Sequence, residues 1–124
     1  MKRYNKNLGD FGEEAAKNYL IEKGYEIVEQ NFNVKGGEID IVCMDGNVLV
    51  FVEVKTRNSK EYGLPIEAID KKKREHLRFA AERYFQLHPT DCEIRFDGIE
   101  VYASMTDGVP VLFEINHIVD FVLD

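Results

Sequence analysis

Apolar residues mark out the elements of this chain before any other property does. Between Asp10 and Lys23 they recur three and four positions apart, at Phe11, Ala15, Ala16, Tyr19 and Leu20, and Gly24 supplies a stop. That spacing predicts an amphipathic helix. Tyr25–Val34 (YEIVEQNFNV) has the composition of a strand, Gly36-Gly37 interrupts it, and Glu38–Met44 (EIDIVCM) is a second strand. Asp45-Gly46 is a hairpin-turn signal, and Asn47–Thr56 (NVLVFVEVKT) supplies the third strand. Residues 57–64 are expected to form a polar loop, Pro65 to open a short turn, and Asp70 to cap a second helix running to about His88, just before Pro89. Leu77, Ala80, Ala81 and Tyr84 give that helix its inner face. Glu93–Ala103 and Val111–Ile115 are two further strands, followed by a final turn in NHIVDFVLD. The expected order is αβββαββ, an α/β domain whose mixed central sheet is flanked by helices.

Composition narrows the class. A chain of 124 residues that is 44% hydrophobic and 31% charged has the size and mix of one compact domain, so a single unit over 1–124 is expected. No internal repeat, low-complexity tract or linker divides it. The N-terminal MKRYNKNLGDFGEE has no apolar core of the kind a secretion signal carries, and no stretch approaches the roughly 18 apolar residues of a membrane span. A cytoplasmic protein without a membrane partner is expected. Cys43 and Cys92 form no CxxC pair and are read as core or near-core thiols. Gly9, Gly12, Gly36 and Gly37 do not build a strand-to-helix phosphate loop, which removes the nucleotide-binding class.

The formal charge of -7 argues against a nucleic-acid partner until its distribution is considered. Residues 1–83 carry equal numbers of acids and bases, whereas residues 84–124 carry eight acids against Arg95 alone. Within the balanced part, Lys71, Lys72, Lys73, Arg74, Arg78 and Arg83 form a basic concentration, with Lys55, Arg57 and Lys60 upstream. This is either a solvated helix face or a phosphate-binding surface.

The chemistry is suggested by acids in the wrong place. Asp40, Glu53 and Lys55 lie inside the two most apolar strand runs. With a two-residue Asp45-Gly46 turn, Asp40 faces Phe51 and Glu38 faces Glu53, and alternation puts Asp40, Glu53 and Lys55 on one face. Asp40 and Glu53 then become diagonal neighbours, about 7 to 8 Å apart at the backbone. Converging carboxylates repel and are costly to bury unless a positive charge lies between them, for which Mg²⁺ or Mn²⁺ is the simplest candidate. Lys55 is placed to orient a metal-activated water or offset charge on a phosphate; the alternative is an ion pair with Glu38 or Glu53. On a wheel at about 100° per residue, Glu13 lies about 20° beyond Leu20, at the border of the buried face. It is either a further metal ligand or, with Asp10, half of a helix-capping box. Arg95 and Asp97 alternate in a strand and suggest an ion pair, while His76, His88 and His117 are read as surface or helix-end histidines.

GEEAAKNYLIEKGYEIVEQNF, GEIDIV, FVEVKTR, the EAIDKKK run and RFD occur in an order that resembles the YraN-like family of uncharacterised bacterial proteins. That family resembles the PD-(D/E)xK nucleases of restriction-endonuclease-like fold, and among them the archaeal Holliday-junction resolvases. The resemblance implies that Asp40 is the first acid of the motif, that Glu53 and Lys55 are its E-x-K, and that Glu13 is the additional helical acid. Ile39 stands where the motif's name has proline. The expectation that follows is a Mg²⁺- or Mn²⁺-dependent nuclease acting on DNA, branched or recombination-intermediate DNA included, with Asp40, Glu53 and Glu13 holding metal. In it Lys55 positions water, and Lys72, Lys73 and Arg74 touch phosphates without reading bases. A homodimer is compatible with cutting two strands. The competing expectations are a non-catalytic nucleic-acid- or protein-binding module on the same fold, and an acidic protein-interaction domain built on the C-terminal third.

Overall fold

The computed structural model describes residues 2–58 and 71–121, with side chains from Leu8 onward. The order αβββαββ holds: α1 (Lys2–Glu22), β1 (Glu26–Val34), β2 (Gly37–Asp45), β3 (Val48–Asn58), α2 (Lys71–Leu87), β4 (Glu93–Thr106) and β5 (Val109–Ile118). The greater part of the expected 57–64 loop, the Pro65 turn and the Asp70 cap lie outside the described residues. Among those described, no helix is long and apolar enough to cross a membrane.

The strands lie in the sheet in chain order, and β3–β4 is the parallel pair among antiparallel neighbours. One helix covers each face. Under α1, Leu8, Ala16, Leu20 and Tyr25 pack on Ile41, Cys43, Val50, Val52, Ile99, Val101 and Ala103. Under α2, Ala80, Ala81 and Tyr84 pack on Phe32, Ile39, Val42, Leu49 and Phe51, as the inner face read from the sequence requires. This three-layer mixed sheet is the restriction-endonuclease-like α/β architecture that the element order suggests.

Two details differ from expectation in ways that matter below. α1 begins at Lys2 rather than Asp10, because Leu8 extends the apolar stripe one turn back from Phe11. Asp10 is therefore inside the helix, and the Asp10–Glu13 capping box does not exist. The β2–β3 hairpin turns on Gly46-Asn47, not Asp45-Gly46: Asp45 pairs with Val48, and Gly46 takes φ 59° at the first central position, where a type II′ turn needs glycine. The register moves by two, so over the paired stretch Ile41–Asp45 and Val48–Val52 facing partners change while the faces do not.

A two-carboxylate site where two strands part

The β2–β3 ladder runs from Asp45↔Val48 to Ile41↔Val52 and stops there. β2 continues paired to β1 as far as Val34↔Gly37, and β3 continues paired to β4 as far as Asn58↔Ala103. The two strands therefore follow different partners from Asp40 and Glu53 onward. One more step of the observed register brings Asp40 level with Glu53, directly across rather than on the expected diagonal. Backbone bonding does not simply lapse at the opening. Val54 donates its N–H to Asp40 Oδ2 at 2.7 Å, so a side chain takes the place of a strand carbonyl.

Alternation also breaks at Asp40. Ile39 packs with Val42 on the α2 side, whereas Ile41 packs on the α1 side, although residues two apart in a regular strand share a face. Beside it in β1, Asn31 lies between the pairs Gln30↔Ile41 and Phe32↔Ile39 and has φ 53°. Asparagine is the non-glycine residue that enters this left-handed region at least cost, and such irregularities concentrate at functional positions.

Asp40 and Glu53 are both buried. Burial pushes the Glu53 carboxyl up to about 8 and Asp40 adds to the rise, while Lys73 opposes it. Asp40 is also raised, by burial and by Glu38, against the Val54 N–H and Lys73. Lys73 Nζ lies 3.2 Å from Glu53 Oε2, and Glu53 Oε1 is buried with no hydrogen-bond partner. An unpartnered carboxylate oxygen beside a second carboxylate is a donor set that suits a hard divalent cation.

The expected ligand Glu13 is half-buried and electrostatically close: burial raises its carboxyl first, then Asp40, Asp10 and Glu38, opposed by a hydrogen bond from Asn31. Among the described residues no three His, Cys, Asp or Glu side chains form a ready metal cluster, so the pair Asp40–Glu53 stands as the nucleus of the site, with Glu13 near it. Lys55 is exposed and makes no ion pair among the described residues. β3 carries it alongside Glu100 of β4, away from β2. Lys72 is exposed, Arg74 is half-buried, and Lys73 is turned onto Glu53 rather than outward. Beside Lys73, a cavity of about 310 Å³ is lined by Asn33, Val34, Gly36, Gly37, Glu38 and His76.

Sequence reasoning missed Asn31 and the acid-facing role of Lys73. An asparagine inside a strand run was a visible signal for the first. Nothing in the KKKR run distinguishes Lys73 from its neighbours, because only docking of α2 decides which lysine reaches Glu53.

A second polar network lies in the C-terminal half. Arg95 binds Asp97 through two hydrogen bonds of 2.8 and 3.0 Å and also reaches Asp45 and the Tyr25 hydroxyl, each at 2.9 Å. The expected Arg95–Asp97 pair is thus present. His117 is not a surface or helix-end histidine: it lies in β5 with its side chain buried, Nε2 2.8 Å from Asp97 Oδ2 and Nδ1 3.2 Å from the Tyr19 hydroxyl. Its position opposite Ile99 in the sheet turns it onto the α1 side. Although burial raises the Asp97 carboxyl, hydrogen bonds from His117, Arg95 and the Asp120 N–H outweigh it and hold the group down at about 2.

Residues 12–101 match the uncharacterised protein family UPF0102. The chain is 46% identical over 105 residues to a UPF0102 protein of Caldicellulosiruptor saccharolyticus, covering 84% of this chain and 89% of the relative. A UPF0102 protein of Caldanaerobacter subterraneus subsp. tengcongensis is 43% identical over 122 residues, covering 97% and 98% of the two chains. One of Clostridioides difficile is 44% identical over 117 residues, covering 94% and 96%.

Proposed function

The chain belongs to the uncharacterised protein family UPF0102, and from that premise we propose that it is a divalent-metal-dependent nuclease hydrolysing DNA phosphodiesters, branched DNA included. The observation that carries this reading is the buried Asp40–Glu53 pair at the parting of β2 and β3, with Glu53 Oε1 left unpartnered. Asp40 and Glu53 hold the ion and Glu13 assists from α1, directly or through water. A Mg²⁺ or Mn²⁺ ion there supplies a polarised phosphate and an acidified water. The Val54 N–H fixes the Asp40 carboxylate, so the ligand is already oriented by a rigid strand. Lys72 and Arg74, at the start of α2, contact phosphates along the backbone.

The test is cleavage of single-stranded, duplex, flap and four-way DNA with Mg²⁺ or Mn²⁺, beside Asp40→Asn and with calorimetry of Mn²⁺. Metal-dependent cutting lost in Asp40→Asn supports the reading. Equal Mn²⁺ binding by wild type and Asp40→Asn removes it.

A second reading, a protein-binding module on the same fold, is favoured by β5, where Val109, Val111, Leu112 and Phe113 are exposed. It predicts no cleavage of any of these substrates, and a partner lost when Leu112 and Phe113 are both made polar.

A further inference from the structure

The geometry points to Lys73 as a lysine that serves the Asp40–Glu53 site from α2, its ammonium standing between Glu53 and a substrate phosphate seated in the cavity beside the β1–β2 turn. This deepens the nuclease reading and rests on it.

Sequence spacing favours Lys55 because a strand puts residues two apart on one face. The unbroken β3–β4 register from Val48 to Asn58 keeps Glu53 and Lys55 on one face. β3 leaves β2 after Val52 and continues with β4, and Lys55 travels with it to a position next to Glu100. The ammonium in contact with Glu53 comes from α2. Lys73, in the first turn of α2, has its Nζ 3.2 Å from Glu53 Oε2 while its side chain stays partly exposed.

The exposed side of Lys73 borders the cavity of about 310 Å³, with Asn33, Glu38 and His76 around it and Gly36-Gly37 as its wall. That wall is close-fitting. A Cβ on Gly37 would collide with the His76 carbonyl oxygen, and Gly36 has φ 96° with the Phe79 ring against it. The turn and α2 are thereby held at a fixed separation, which keeps Lys73 and His76 on one side of the cavity. An anionic phosphate oxygen placed there meets the Lys73 ammonium and the positive end of α2 together.

In the reaction a water oxygen forms the new bond to phosphorus and the ester P–O bond breaks. One water proton ends on the departing hydroxyl. Lys73 gains and loses no proton; it neutralises charge on the non-bridging oxygens as that charge builds.

The experiment compares Lys73→Met and Lys73→Arg with wild type, by single-turnover cleavage at saturating DNA and by Mn²⁺ calorimetry without DNA. Lys73→Met is expected to slow cleavage about 100-fold, the size of effect typical when one such donor is lost. Lys73→Arg recovers part of that loss. Without DNA, Lys73→Met binds Mn²⁺ about tenfold tighter, since a positive charge beside the ion has gone. Normal cleavage in Lys73→Met overturns the proposal, as does unchanged Mn²⁺ affinity in Lys73→Met. A wild type that cuts no substrate defeats the nuclease reading and the catalytic role together. The Mn²⁺ arm then still reports separately whether Lys73 neighbours the ion.

Discussion

The Val54 N–H bonds to Asp40 Oδ2 at 2.7 Å across the gap where β2 and β3 separate. A carboxylate thus terminates a hydrogen-bond ladder, and the same bond fixes that carboxylate beside Glu53. Opening the sheet and orienting the acid are one event. The energetic cost falls mainly on Glu53, whose Oε1 has no partner.

That cost is measurable as pH dependence. Glu53 is raised from 4.5 to about 8, so the folded state holds a proton that the unfolded state has released between those pH values. Its contribution favours folding toward the acid side and is lost as pH rises through about 8. Metal-free wild type is therefore expected to lose on the order of 2 kcal/mol from this group between pH 5 and pH 8.5 relative to Glu53→Gln. Urea denaturation of both proteins across that range checks it, and parallel curves would contradict it.

The start of α2 is expected to act on DNA through phosphates alone. Lys72→Ala with Arg74→Ala should weaken binding to every DNA sequence alike and lower the slope of log K against log salt by about one to two. Fluorescence anisotropy at several salt concentrations measures this. An unchanged slope would return these residues to a solvated helix face.

Asp97 anchors the C-terminal strands instead. Held down at about 2 against an ordinary 3.8, it stabilises the fold above pH 4, and that contribution is lost as pH falls toward 2. Asp97→Asn leaves Arg95 and His117 without their shared anion and should cost about 3 kcal/mol at pH 7. The proposed site at Asp40 and Glu53, on other strands, should keep its Mn²⁺ affinity. Chemical denaturation and calorimetry on one preparation separate the two effects.

Gly12 sets how closely α1 approaches β3. A Cβ there would run into Thr56 Oγ1, so the helix carrying Glu13 sits on the strand carrying Glu53 at glycine-only distance. Gly12→Ala should destabilise by about 1 to 3 kcal/mol through overpacking. Thr56→Ala, which removes two of the three colliding atoms, should recover part of that loss in the double variant. Additive losses would show that the two residues do not meet.

Much of the architecture was legible in the chain. Helical spacing placed Leu77, Ala80, Ala81 and Tyr84 on the buried face of α2, and all four are there. Alternation and turn chemistry placed the two acids in adjacent strands, because local apolar period is set by backbone geometry that neighbouring residues determine between them. The hairpin register was not legible to within two residues. Asp45-Gly46 and Gly46-Asn47 are both acceptable local turns, and what accompanies the second is Asp45 paired with Arg95, fifty positions away. Asp107-Gly108, with positive φ at both residues, forms the unanticipated second hairpin turn and lets β4 and β5 run to Thr106 and from Val109. The lysine that pairs with Glu53 lay beyond local reasoning for a related cause. β3 parts from β2 after Val52 while keeping its register with β4, and Lys55 stays on the Glu53 face beside Glu100. Which ammonium then faces the acids depends on how α2 docks over the opening, a matter of packing between segments distant in sequence, and that packing delivers Lys73.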